Sequence, residues 1–124
     1  MNEVTNILIK KGQISNLFIG KIRMEYKNLN SRFDFHIVFE GDEHFIEVKT
    51  CMLCYNKVAM FPDASTPRGT KHLGDLEKIS KRKNTICYCL YLIPSYNAKV
   101  FIPNSYTDFE YYKTFVNAKG ISFR

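Results

Sequence analysis

Residues 31–50 constrain this chain more than any other stretch, because their hydrophobic pattern has a period of two. Phe33, Phe35, Ile37 and Phe39 alternate with Asp34, His36 and Val38. Successive side chains of a strand point to opposite faces, so the alternation predicts a half-buried β-strand. Gly41-Asp42 supplies turn chemistry, and Phe45-Ile46-Glu47-Val48-Lys49 reads as the returning strand. Glu47 and Lys49, two residues apart, share one face of it. Pairing as a hairpin would bring Asp34 across from them. Two carboxylates converging beside one ammonium make a divalent-metal site with a cation ready for a water or a phosphate. That chemistry points to metal-dependent phosphodiester hydrolysis.

A chain of 124 residues is long enough for one core, so one domain is expected. The formal charge of +6, from 18 Lys+Arg against 12 Asp+Glu, suits a polyanionic partner without identifying it. The local run Lys78, Lys81, Arg82 and Lys83 reads as a solvated helix end rather than a binding patch. No apolar run approaches the roughly 18 residues of a membrane span, and no signal peptide is evident. A soluble cytoplasmic protein with no membrane partner is the expectation. Cys51 and Cys54 form a CxxC and Cys87 and Cys89 a CxC, which together could be drawn as a four-cysteine zinc site. Cys87 and Cys89, however, lie among Ile86, Tyr88, Leu90 and Leu92, where cysteine behaves as a small core hydrophobe. Reduced structural thiols are the preferred reading.

Along the chain, residues 2–11 form a short amphipathic helix on Val4, Ile7 and Leu8, stopped by Gly12. A buried turn is expected around Gly20, and a first strand over 23–27 before the loop Asn28-Leu29-Asn30. Residues 55–65 read as a loop. Thr66-Pro67 is an N-cap followed by proline at the first helical position, starting a helix to about Lys83 with Leu73, Leu76 and Ile79 inward. Thr85 to Ile93 reads as a central strand buried on both faces. A short strand over Lys99 to Ile102, a helix over Asp108 to Lys119 closed by Gly120, and a last strand over Ile121 to Phe123 complete an α/β or α+β domain with a mixed sheet. The rings of Tyr106, Phe109, Tyr111, Tyr112 and Phe115 either pack on that sheet or form a docking surface for a second copy or a partner protein.

On the helix after Pro67, Arg68, His72 and Asp75 follow at three- and four-residue spacing, with Lys71 beside them. Free N–H groups and the helix dipole attract phosphate at such a terminus, and Arg68 and Lys71 add charge. His72 could hydrogen-bond a phosphate or a carboxylate, or be a structural histidine.

Three blocks then come together. Ser31-Arg32-Phe33-Asp34-Phe35, Ile46-Glu47-Val48-Lys49, and Phe61-Pro62-Asp63-Ala64-Ser65-Thr66-Pro67-Arg68-Gly69-Thr70-Lys71-His72-Leu73 follow in this order. They resemble the SRxDF, EVK and FPDAxTxRGxKHL blocks of the sugar fermentation stimulation protein A family. Asn2 and Gly12-Gln13-Ile14 also fit, so the resemblance covers nearly the whole chain. It implies a restriction-endonuclease-like PD-(D/E)xK fold and a role as a DNA or RNA nuclease or DNA-binding protein.

By that resemblance Asp34 is the acid before the ExK motif, Glu47 the second metal ligand and Lys49 the motif lysine, with the Val48 carbonyl completing the metal's inner shell. The implied cofactor is Mg²⁺ or Mn²⁺. Arg68, Lys71 and His72 would contact nucleic acid, with Glu25 and Asp63 as auxiliary members. Pro62-Asp63 follows the ExK and so is not the PD of the fold's name. Family members usually carry an OB-like domain ahead of this region. The expectation is a chain without it, whose grip on nucleic acid a second subunit or a partner protein would extend. The rival expectation is a nucleic-acid-binding module that keeps the fold without cleaving.

Overall fold

The computed structural model describes residues 21–28 and 31–124, with side chains from Arg32 onward. The helix expected over 2–11 and the turn expected around Gly20 lie outside the described residues.

Strands β1 (Lys21–Asn28), β2 (Ser31–Phe39) and β3 (Asp42–Thr50) form an antiparallel meander. Strand β1 confirms the expected first strand and extends it at both ends. The two-residue turn joining β2 to β3 is Glu40-Gly41, one residue earlier than expected, and both residues are left-handed (φ 50° and 84°). Glycine takes that conformation without the steric cost a side chain carries.

A short hairpin follows, β4 (Leu53–Tyr55) and β5 (Val58–Phe61), where the sequence suggested a loop. Its turn is Asn56-Lys57, again with both residues at positive φ. Lysine is not a residue that signals such a turn, which is why the hairpin was not legible. Helix α1 (Pro67–Ser80) starts where expected and stops three residues short of Lys83. Strand β6 (Thr85–Leu92) then runs parallel to β3, with Glu47 level with Cys89 and Lys49 level with Tyr91. Strand β7 (Val100–Pro103), helix α2 (Phe109–Asn117) and strand β8 (Ile121–Phe123) complete the order. Gly120, at φ 83°, turns the chain into β8 beside Ser80, and a Cβ there would lie 2.3 Å from the Ser80 hydroxyl oxygen.

The mixed sheet expected from sequence is five-stranded, in the order β1-β2-β3-β6-β8, and a second, three-stranded sheet has the order β4-β5-β7. The helices pack on one face of the larger sheet. Phe33, Phe45 and Cys87 meet Leu76 and Ile79 of α1 there. Leu73 of α1 and Tyr111 of α2 close over Cys89 and Tyr91. The opposite face carries Phe35, Ile37, Ile46, Tyr88 and Leu90. Strand β6 is thus buried on both faces as expected, apart from Ile86, which is exposed. Burying one such aromatic or aliphatic side chain contributes about 1.5–3 kcal/mol.

Strand β2 does not keep its expected alternation. Phe35 and Ile37 pack on one face, but Phe33 packs on the other, under α1. The β2–β3 pairing ends at Phe35 opposite Ile46. The irregularity falls at Asp34.

The aromatic residues of the C-terminal region divide. Tyr111 is fully buried, and Phe115 packs against Tyr91, Phe101 and Phe123. Tyr106 is wholly exposed, and Phe109 stacks on Tyr112 at the surface.

Candidate active site

Strand geometry aims the central carboxylate. Phe45, Glu47 and Lys49 share a face of β3, and Phe45 lies beneath α1, so Glu47 also points at that helix. Glu47 is only 2% exposed. Burying a charge is costly unless it is paired, and here the partners are built in. Lys49 Nζ lies 3.1 Å from Glu47 Oε2. His72, on the second turn of α1, sets its Nδ1 against the same oxygen. Asp34 also lies close enough to Glu47 to lower its pKa. Burial alone would raise the Glu47 pKa, but His72 and Asp34 beside it and the Lys49 charge outweigh that and hold the carboxyl down at about 2.

Asp34 reaches this point by leaving the regular ladder. The Val48 backbone N–H donates to Asp34 Oδ2 at 2.7 Å. A side-chain carboxylate thus takes a strand amide just beyond the last β2–β3 pair, which fixes Asp34 beside Glu47 rather than across a continued hairpin.

The floor beneath Glu47 is largely apolar. Cys89 is level with it on β6, and Leu73, Tyr91 and Tyr111 pack around Cys89. The Tyr91 and Tyr111 hydroxyls hydrogen-bond to one another in the interior. Desolvation pushes the Cys87 and Cys89 thiols up to about 12, and burial also raises Cys51. All four cysteines are free, and among the described residues they do not gather with other His, Cys, Asp or Glu side chains into a group of three or more that could hold a metal ion. Cys51 donates instead to the Met60 carbonyl oxygen.

The approach to the cluster is the start of α1. Thr66 caps the helix by accepting the Gly69 N–H at 3.0 Å. Asp108, the N-cap of α2, accepts the Tyr111 N–H at 3.0 Å through Oδ1 and the Thr66 N–H at 2.7 Å through Oδ2. One carboxylate therefore ties the two helix starts together. Asn104 adds a second tie, donating to the Pro62 carbonyl oxygen at 3.0 Å. Asp108 is legible as a cap, but its bond to a residue 42 positions away leaves no sequence signal.

Of the residues expected from sequence, Asp34, Glu47 and Lys49 converge, and His72 joins them from inside rather than from the phosphate-facing surface. Arg68 is exposed on the first turn of α1. Lys71 is half exposed and pairs with Asp75 at 3.3 Å. Asp63 is exposed on the loop before α1, outside the cluster. Glu25 falls in β1, in the part whose side chains lie outside the described residues.

Among the described residues no three His, Cys, Asp or Glu side chains form a metal cage. Mg²⁺ and Mn²⁺ do not require one. Such hard cations take one or two carboxylates and keep several waters, and Asp34 with Glu47 supplies that donor set. The residues fit.

Comparisons with known proteins identify the family. Residues 1–123 match the model of the sugar fermentation stimulation protein RE domain. A sugar fermentation stimulation protein homolog of Ruminiclostridium cellulolyticum is 36% identical over 125 residues, covering 98% of this chain and 54% of that protein. The homolog of Acetivibrio thermocellus is 42% identical over 103 residues, covering 83% of this chain and 42% of the relative. The solved structure of Pyrococcus furiosus SfsA in complex with Ca²⁺ superposes with a TM-score of 0.89 at 25% identity, over 98% of this chain and 54% of that one. This chain spans about half the length of these relatives. The fold is restriction-endonuclease-like, and the chain belongs to the sugar fermentation stimulation protein family.

Proposed function

We propose that the chain is a Mg²⁺- or Mn²⁺-dependent nuclease that hydrolyses phosphodiester bonds in DNA or RNA. The observation that carries this reading is the convergence of Asp34, Glu47 and Lys49 at one buried point beside the start of α1. The similar Pyrococcus furiosus protein was solved with a divalent cation, Ca²⁺, which supports a hard-cation site in the family.

Asp34 and Glu47 are the ligands in this reading, with the Val48 carbonyl as a third donor. A bound divalent cation supplies a Lewis acid that acidifies a water and offsets charge on the scissile phosphate. Lys49, on the same face as Glu47, orients that water or neutralises the charge gathering on the phosphoryl oxygens. The water oxygen forms the new bond to phosphorus, and the leaving sugar oxygen departs with a proton. Arg68, exposed on the first turn of α1, holds a neighbouring phosphate.

The rival reading, binding without cleavage, draws on one observation: Glu47 Oε2 is already met by both Lys49 and His72. Incubating the protein with labelled single- and double-stranded DNA and RNA separates the two. Cleavage with Mn²⁺ or Mg²⁺ that stops on adding EDTA is the expected result. Binding to these substrates with no cleavage under any metal condition would favour the rival.

A further inference from the structure

His72 belongs to a block that the sequence reads as a phosphate-gripping surface, yet its ring is turned away from that surface. It is 6% exposed and lies against Phe33, with ring centroids 6.2 Å apart. Its neighbour Leu73 is fully buried. A ring so enclosed is poorly placed to meet a nucleic-acid phosphate arriving at the helix start. What it does meet is Glu47 Oε2, through Nδ1.

We propose that His72 is a positioning residue for the Glu47 carboxylate, fixing its orientation for a divalent cation, and not a contact to nucleic acid. The proposal rests on the reading of Glu47 as a metal ligand. Glutamate has three side-chain torsions, so a strand alone does not decide where its oxygens point. Anchoring one oxygen fixes the last of them. His72 can serve as that anchor because α1 is itself held at its start, by the Thr66 cap and by the Asp108 bond to Thr66. Lys49 meets the same oxygen at 3.1 Å, so the anchor also sets where the lysine charge lies relative to the carboxylate. Groups that orient a metal ligand without touching the metal commonly change affinity about 10- to 100-fold when removed.

The test is Mn²⁺ calorimetry on EDTA-stripped, dialysed protein: wild type, His72→Leu, His72→Asn, His72→Gln and Glu47→Gln. Asparagine places an amide near the position of Nδ1, whereas glutamine places it near Nε2. The expected result is Mn²⁺ affinity about 10-fold or more weaker in His72→Leu and His72→Gln, and largely recovered in His72→Asn. Oligonucleotide affinity measured in EDTA should be unchanged in all three His72 variants. A general packing role would not distinguish asparagine from glutamine in this way. Wild-type Mn²⁺ affinity in both His72→Leu and His72→Gln, with Glu47→Gln impaired, overturns the positioning role while leaving Glu47 as a ligand. Loss of oligonucleotide affinity in EDTA, with Mn²⁺ affinity intact, overturns it in favour of a nucleic-acid contact. Wild-type Mn²⁺ affinity in Glu47→Gln overturns the ligand reading itself and the proposal with it. If His72→Leu does not fold, the contrast between His72→Gln, expected to be weakened, and His72→Asn, expected to be near wild type, decides the matter.

Discussion

Glu47 keeps a negative charge at a place where water is nearly absent, and the groups that make this tolerable are the ones the proposed chemistry uses. Its pKa, about 2 against an ordinary 4.5, links the site to stability. A carboxylate depressed by folding contributes stability that is complete above its unfolded pKa and is lost as pH falls through the folded value. For Glu47 the window runs from 4.5 down to about 2. In metal-free buffer, urea unfolding should therefore show wild type well above Glu47→Gln at neutral pH, with the gap closing toward pH 2. A gap independent of pH would mean that the Glu47 charge is not held by its partners. Asp34 contributes differently, taking the Val48 N–H at 2.7 Å. Asp34→Asn keeps a side-chain carbonyl that can accept this bond, so fold and charge can be tested separately.

At the scale of elements, α1 matters because it delivers groups to two places, Arg68 to the surface and His72 to the interior. Asp108 serves the starts of both α1 and α2 and is nearly buried. Asp108→Ala should lower unfolding free energy in urea by about 2 kcal/mol, since it orphans two backbone donors. Asp108→Asn, which retains one acceptor, should cost about half as much. Equal stability of Asp108→Ala and wild type would sink the coupling between the helices. For nucleic-acid binding, Arg68→Ala should weaken affinity and reduce the slope of log affinity against log salt by about 0.7–0.9. Lys71→Ala should change less, because that ammonium already pairs with Asp75. If Lys71→Ala has the larger effect, phosphate is gripped further along the helix. The elements that could be read from sequence are those with local signals: the cap and proline at Thr66-Pro67, the apolar run of β6, the glycine before β8. The β4–β5 hairpin lacked one, because its turn uses Asn56-Lys57. The side switch at Asp34 also had no local signal, since it depends on the Val48 amide from another strand. The motif residues Asp34, Glu47 and Lys49 could be named in advance, but the arrangement that brings Asp34 in could not. His72 was visible as a polar helix residue, and only the packing of α1 on β3 shows that it faces inward.

Across the whole molecule, β3 and β6 run parallel at the centre of the larger sheet, with α1 as the crossover between them. This topology places the strand that carries Glu47 and the helix that carries His72 on the same side, an arrangement that neither makes alone. The chain spans about half the length of its relatives. The central claim is that Asp34, Glu47 and Lys49 form one metal-dependent hydrolytic site. Its most direct test is Mn²⁺-dependent cleavage of a labelled oligonucleotide by wild type, Asp34→Asn, Glu47→Gln and Lys49→Ala, each first shown to be folded by circular dichroism. Cleavage by wild type that falls at least about 100-fold in each variant is the expected result, roughly the loss of one well-placed electrostatic group in an active site. Folded variants that cleave at the wild-type rate would contradict the assignment and move the activity elsewhere.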